Sequence, residues 1–253
     1  MLADLLVASL FSVFLVFCRV GAAFMLLPGF GEGFVFPRAR LALALLVSVA
    51  LAPVLGAGLP PPPASPALLA LLVGQEVIVG LAIGALTRIL ASALQVAGSV
   101  IATQTGLATA AAFDPTQGEQ AAIVSQFLSI AGVVAVFVTD LHHVMLGGLL
   151  RSYAVIAPAS MPAAGDMAGL AVGFVGDAFA VAAEIAAPFL VGSIVFFLGL
   201  GILARLMPQV PIFFVAVPLQ LALGLWLFMV AFGGALLWYL DYFASHADVL
   251  AAG

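Results

Sequence analysis

Hydrophobic positions in this chain fall into long runs separated by short breaker clusters. The runs do not alternate: 41-LALALLVSVALA-52 has no two-residue period. A membrane β-barrel needs strands that alternate apolar and polar residues, so the pattern argues against one. A spanning helix needs about 20 mostly apolar residues. Segment one covers roughly 5–27 and ends at Pro28-Gly29. The stretch 28-PGFGEGFVFPRAR-40 holds three Gly and two Pro and reads as a loop. Segment two, roughly 41–59, stops at 60-PPPPASP-66, a stiff polyproline-like turn. Segment three starts near Pro66 and runs to about Ile89, with an extension to Gln104 left open. Segment four is roughly 121–139. The mixed stretch 141-LHHVMLGGLLRSYAVIAP-158 reads as a non-spanning or partly exposed helix, followed by the breakers 158-PASMPAAGD-166. Segment five is roughly 167–204 and segment six roughly 212–240, joined by 205-RLMPQVP-211 and followed by a polar tail. The predicted fold class is all-α: a polytopic integral membrane protein with about six long apolar helices.

Composition makes the membrane assignment firm. The 253 residues are 66% hydrophobic and 7% charged, with a mean hydropathy of +1.35. Soluble domains carry roughly 25% charged residues. The six basic residues are all Arg, which leaves no basic face for nucleic acid. The eleven acids are scattered and give a net charge of −5. Cys18 stands alone, so it makes no internal disulfide. The N-terminal run carries Asp4 as its only early charge and stays apolar past Leu26. A cleaved signal peptide has a basic start and an apolar core of about 7–15 residues. The run reads instead as a retained first helix.

Positive charge favours the cytoplasmic side of a membrane. An N-out, six-span topology puts Arg38, Arg40, Arg88 and Arg205 there together. The proline loop, the Asp140-His142-His143 corner and the tail then fall outside. Arg19 and Arg151 do not discriminate. Segment five is too long for this scheme. Nearly 40 residues make about 60 Å of helix against a hydrocarbon core of about 30 Å. Either Pro188 breaks it, or it overtops the bilayer and buries its excess against other subunits.

Candidate chemistry is sparse. There is no HExxH pair, no GxSxG elbow and no phosphate loop; 29-GFGEG-33 lacks a Lys and a strand. No catalytic residue, cofactor or metal site is predicted, and the protein is not read as an enzyme. His142 and His143 are neighbours expected to point apart on a helix, making a poor metal pair. Asp177 has no matching second Asp for aspartyl chemistry. Intramembrane charge points to function or to a buried pair, and Arg19, Glu76, Arg88, Asp177 and Glu184 qualify. Glu76 and Arg88 are too far apart for one intrahelical pair, so each needs a partner elsewhere. For Arg19, snorkelling is also open. Gly80 and Gly84 in 80-GLAIG-84 suit close helix contact.

The stretch 98-GSVIATQTGLATAAAFDPTQGEQAA-122 is too polar for lipid. Gly106 and Asp114-Pro115 argue against one continuous helix, and Asp114 to Gly118 has the chemistry of a turn. The residues alone leave two readings: a cytoplasmic loop, or a loop that lines or blocks a pore. Non-helical backbone at membrane depth survives only against protein or a water-filled cavity.

Several stretches resemble the FliR family of flagellar type III export gate subunits, related to the SctT-type subunits of injectisomes. They are 17-FCRVGAAFMLLPGFG-31, 36-FPRAR-40, 74-GQEVIVGLAIG-84, 113-FDPTQGEQ-120 and, most specifically, 204-ARLMPQVPIFFVAVPLQLALGL-225. The resemblance implies a channel subunit that passes unfolded flagellar proteins across the bacterial inner membrane. Its implied partners are FliP, FliQ, FlhB and FlhA, the basal-body ring, the export substrates and the lipid bilayer. It also implies a FliP-like part at 1–166 and a FliQ-like hairpin at 167–253, turning at Met207, Pro208, Gln209 and Pro211. Similarity to the family's pore plug falls on about 106–118, with Gly106, Leu107, Ala110, Phe113, Asp114, Pro115 and Gly118 as its residues. Arg19, Glu76, Arg88, Glu184 and Arg205 are the expected buried or inter-subunit charges. A self-contained secondary transporter with Glu76, Arg88 and Glu184 along its path is the competing class.

Overall fold

The structure, a computed structural model, describes residues 2–106, 120–209 and 212–252. Its helices are α1 (Leu2–Phe24), α2 (Pro37–Leu55), α3 (Pro66–Gln104), α4 (Gln120–Val138), α5 (Leu141–Val155), α6 (Ala164–Leu206) and α7 (Ile212–Ala252). A single 3-10 turn, Gly56–Gly58, follows α2, and there is no strand among the described residues. The protein is an all-α polytopic membrane protein. Among the described residues, five helices are long and apolar enough to cross a membrane, or six if α4 and α5 count as one bent span.

Local chemistry sets the helix ends. Pro37 opens α2 at a position where a missing N–H does no harm. The Ser65 hydroxyl accepts from the Leu68 N–H at 3.3 Å and caps α3. At its other end α3 stops on Gly106, whose φ of +80° is a left-handed C-terminal cap. The α4–α5 corner bends by 78°. Asp140 makes it in a left-handed conformation, with φ 59°.

Three elements run further than expected. Helix α3 takes the extension to Gln104. Helix α6 runs unbroken through Pro188, so the proline does not divide it. Membrane helices tolerate proline because neighbouring groups satisfy the freed backbone. The polar tail expected after residue 240 continues the last helix. Its sequence holds no Pro or interior Gly, and Tyr242, Phe243 and Ala247 are buried. At 43 and 41 residues, α6 and α7 are each about 60 Å long, twice the hydrocarbon thickness.

The chain divides into two compact units. The first comprises Met1–Leu90, Val136–Val175 and Ala244–Gly253. Its core holds Leu15, Val16, Val20 and Phe24 of α1, Val79 and Leu86 of α3, and Met145 and Leu149 of α5. Here α3 and α1 lie very close. A methyl group on Gly80 would strike the Arg19 carbonyl oxygen, and one on Gly84 the Ala23 carbonyl. In lipid such contact comes from packing of small residues, not from expelled water. The loop after α1 is pinned by Phe30, whose ring lies 4.8 Å from Phe24 and 5.5 Å from Phe137.

The second unit comprises Ala91–Ala135 and Gly176–Phe243. Within it α6 and α7 run antiparallel. Phe189 meets Phe228 at 6.3 Å, and Trp238 meets Glu184 further along. Phe127 of α4 joins Phe228 and Phe232 in one aromatic cluster, with rings 6.0 and 5.5 Å away. The backbone of Ser125 leaves no room for a side chain at Gly98.

Candidate functional site

The central polar stretch leaves the membrane helix at a fixed point. The last carbonyls of any helix lack intrahelical donors. Here the Gln220 side chain of α7 donates to the Gln104 carbonyl at 3.0 Å. Thr105 is buried, and its hydroxyl donates to the Ala102 carbonyl at 3.2 Å. Gly224 packs on Thr105 so closely that a Cβ there would lie 2.7 Å from the Thr105 side chain. Gly106 is doubly required. Its φ of +80° suits glycine, and an added Cβ would come within 3.0 Å of Gln220. Of the residues assigned to the plug, Gly106 is thus described. Leu107, Ala110, Phe113, Asp114, Pro115 and Gly118 lie outside the described residues. The next described helix begins at Gln120.

A mostly apolar cavity of about 590 Å³ opens beside this anchor, lined by Thr105, Pro188, Phe189, Gln220, Gly224 and Leu227 among others. Gln220 and Gly224 lie in the 204–225 stretch that carries the family resemblance, but neither has a role predicted from sequence. The signal was available: Gln220 is the one amide between Ile212 and Leu240.

Gln220→Leu keeps the volume and apolarity of α7 but removes the donor. It should destabilise the chain by about 1 kcal/mol, the scale of one hydrogen bond. Hydrogen exchange at residues 101–106 should speed up while α1 stays protected. Unchanged exchange there would refute the anchor.

The charged candidates divide clearly. Arg19 and Glu76 are both fully buried and form one pair. Nε to Oε2 is 2.7 Å and Nη2 to Oε1 is 3.2 Å, a two-pronged contact. Nη1 donates to the Ser152 hydroxyl at 3.3 Å and the Ile156 carbonyl at 3.1 Å. The guanidinium also sits 3.9 Å above the Tyr153 ring centroid. Glu76 Oε1 accepts the Ala159 N–H at 2.9 Å. Ala159 has a φ of 63°, a strained value for a side-chain-bearing residue, and this hydrogen bond helps hold it. Arg19 therefore does not snorkel. The pair joins α1, α3, α5 and the loop after α5.

The other charges are not buried within this chain. Arg88 reaches Glu32 at 3.9 Å with half its side chain exposed, a surface contact of small worth. Arg40 instead braces the first loop, donating to the Phe30 and Glu32 carbonyls at 2.8 and 2.9 Å. Arg205 is exposed in the last turn of α6, where a cation suits the helix dipole. Glu184 is exposed and accepts the Trp238 indole N–H at 2.9 Å. Met207, Pro208 and Gln209 connect α6 to α7, with Met207 still bonded back to Leu203. Pro211 lies outside the described residues.

One expectation about the corner is corrected. His142 and His143 do not diverge: their ring centroids lie 4.0 Å apart. His142 is held back by stacking on Phe137, 4.8 Å away and nearly parallel, while His143 Nδ1 approaches Asp140 at 3.6 Å. Ligand atoms of Asp140, His142 and His143 all lie within 4.8 Å of one another, near enough to converge on a metal ion.

Residues 10–246 match the family described as bacterial export proteins, family 1. A flagellar biosynthetic protein FliR of Caulobacter vibrioides is 36% identical over 245 residues, covering 96% of this chain and 98% of that protein. The FliR of Bacillus subtilis is 30% identical over 222 residues, 86% of this chain and 85% of the relative. The Yop proteins translocation protein T of Yersinia pestis is 30% identical over 161 residues, 62% of this chain and 60% of the relative.

Proposed function

The chain belongs to the bacterial export proteins, family 1, and on that premise we propose that it is a subunit of the flagellar type III protein export gate. The observation that carries the reading is end-to-end similarity to a FliR, 96% of one chain against 98% of the other. The flagellar relative is matched over nearly its whole length and the injectisome relative over 60% of its own, which favours flagellar use over an SctT-like role.

The gate forms in the bacterial inner membrane with FliP and FliQ, beside FlhB and FlhA and within the basal-body ring. The N-terminus faces the periplasm. Residues 1–166 form the FliP-like part and 167–253 the FliQ-like hairpin that turns at 207–211. The length of α6 and α7 supports this, because helices twice the bilayer thickness need protein neighbours for their apolar excess. Exposed side chains such as Ile194, Leu198, Met229 and Val230 mark such faces.

Transport through the gate needs a conduit, not a catalytic group. An idle pore must stop ions while an active one passes an unfolded polypeptide. The stretch 106–118 acts as the plug. Its composition suits that role, with small residues for a narrow space, apolar Leu107 and Phe113 for a seal, and Asp114-Pro115 for a turn. The anchor at Thr105 and Gly106, held by Gln220 and Gly224, fixes one end so that substrate displaces the loop without releasing it. Co-expression with FliP and FliQ tests the reading by asking whether this chain enters their complex.

A further inference from the structure

Glu184 lies about 20 residues from either end of α6, roughly 30 Å along the helix. Glu184 stands on the exposed face of the helix. Its surroundings are apolar and exposed: Phe179, Ala180, Ala183, Ala187 and Val191 all face outward. An ionised carboxylate offers about four acceptor positions. The Trp238 N–H fills one of them.

A second acceptor lies in the same turn. Pro188 has no N–H, so it gives no helical hydrogen bond to the carbonyl four residues back, which is that of Glu184. Glu184 and Pro188 line a recess of about 340 Å³ together with Ala231, Gly234, Ala235 and Trp238. Gly233 and Gly234 have open space where their side chains would be, which lets another helix approach closely.

We propose that this recess receives a basic side chain from a neighbouring membrane helix of the export apparatus. The recess supplies negative charge and a small-residue floor, and a Lys or Arg supplies the donors and charge it lacks. A second copy of this chain does not fit, because a two-fold contact here sets Glu184 against Glu184. Lipid tails offer no donor. The proposal rests on the gate reading and names the chemistry of one partner contact within it.

A photo-cross-linking residue at Ala187, one turn from Glu184 and exposed, tests this in the full chain co-expressed with the other gate subunits. The expected product joins Ala187 to a partner helix, with a Lys or Arg within about one turn of the linked position. Glu184→Gln keeps the shape and an acceptor for Trp238 but removes the charge, and it should lower recovery of intact complex. Glu184→Arg should lower it by on the order of tenfold or more, as loss of a buried charge partner does. Changing the mapped basic residue to Glu should then restore it. Cross-links to lipid or to a second copy, or Gln and Arg variants that assemble as well as the parent, would overturn the proposal and leave the gate reading standing. A parent chain that joins no complex sinks the gate reading itself.

Discussion

Removing residues 107–113 should turn a sealed membrane into one leaky to ions. The deletion takes out Leu107 and Phe113, the apolar ends of the proposed plug, and the small residues between them. It leaves the anchor untouched: Gln220 still donates to Gln104, and Gly224 still packs on Thr105. Assembly should therefore persist while the seal fails. Ion conductance of cells or of reconstituted vesicles measures the effect, and recovery of the complex is the control. A channel wide enough for a polypeptide passes ions freely, so the change should be from background to an evident current. Unchanged conductance in an assembled complex refutes the plug role. Loss of assembly would place these residues in the scaffold instead.

The second large effect is on stability. Glu76→Leu leaves the Arg19 guanidinium buried without its carboxylate and the Ala159 N–H without its acceptor. Breaking one side of a buried pair costs about 3–5 kcal/mol. For a chain of this length that is a fall in Tm of roughly 10 °C. Arg19→Met with Glu76→Leu should recover most of the loss, because apolar replacement of a buried pair is often close to neutral. Recovery should stop short of the parent by about 1–3 kcal/mol, the cost of the unsatisfied Ala159 N–H. Thermal unfolding of the purified protein in detergent reads both. A single variant as stable as the parent, or a double variant no better than the single, contradicts this account of the cluster.

The sequence disclosed the helices better than their ends. Long apolar runs and Pro-Gly clusters marked every membrane segment. The extension of α3 was ambiguous because Ser99, Thr103 and Gln104 look like a loop approaching. In the structure the Ser99 and Thr103 hydroxyls bond back to carbonyls three residues earlier, which keeps polar residues helical. Pro188 was a fair reason to suspect a break, yet a single missing N–H is tolerable in a long apolar helix.

Arg19 and Glu76 were singled out, but their partnership was hidden. They stand 57 positions apart, and only the contact of α1 with α3 through Gly80 and Gly84 brings them together. The 80-GLAIG-84 motif was a visible trace of that contact. At the candidate site, Gly106 was legible as a breaker. Gln220 was not, because a lone amide reveals its carbonyl only once α7 is placed beside α3. The His142-His143 geometry escaped because periodicity describes a helix interior, and these residues sit in a first turn folded back on Phe137.

Membership of a working export gate means assembly with the other gate subunits. Native mass spectrometry of this chain co-expressed with FliP and FliQ tests it most directly. The expected result is a discrete complex containing all three proteins, and a chain that behaves poorly when expressed alone. A chain that stays a monomer or forms only copies of itself, while FliP and FliQ associate without it, would contradict it.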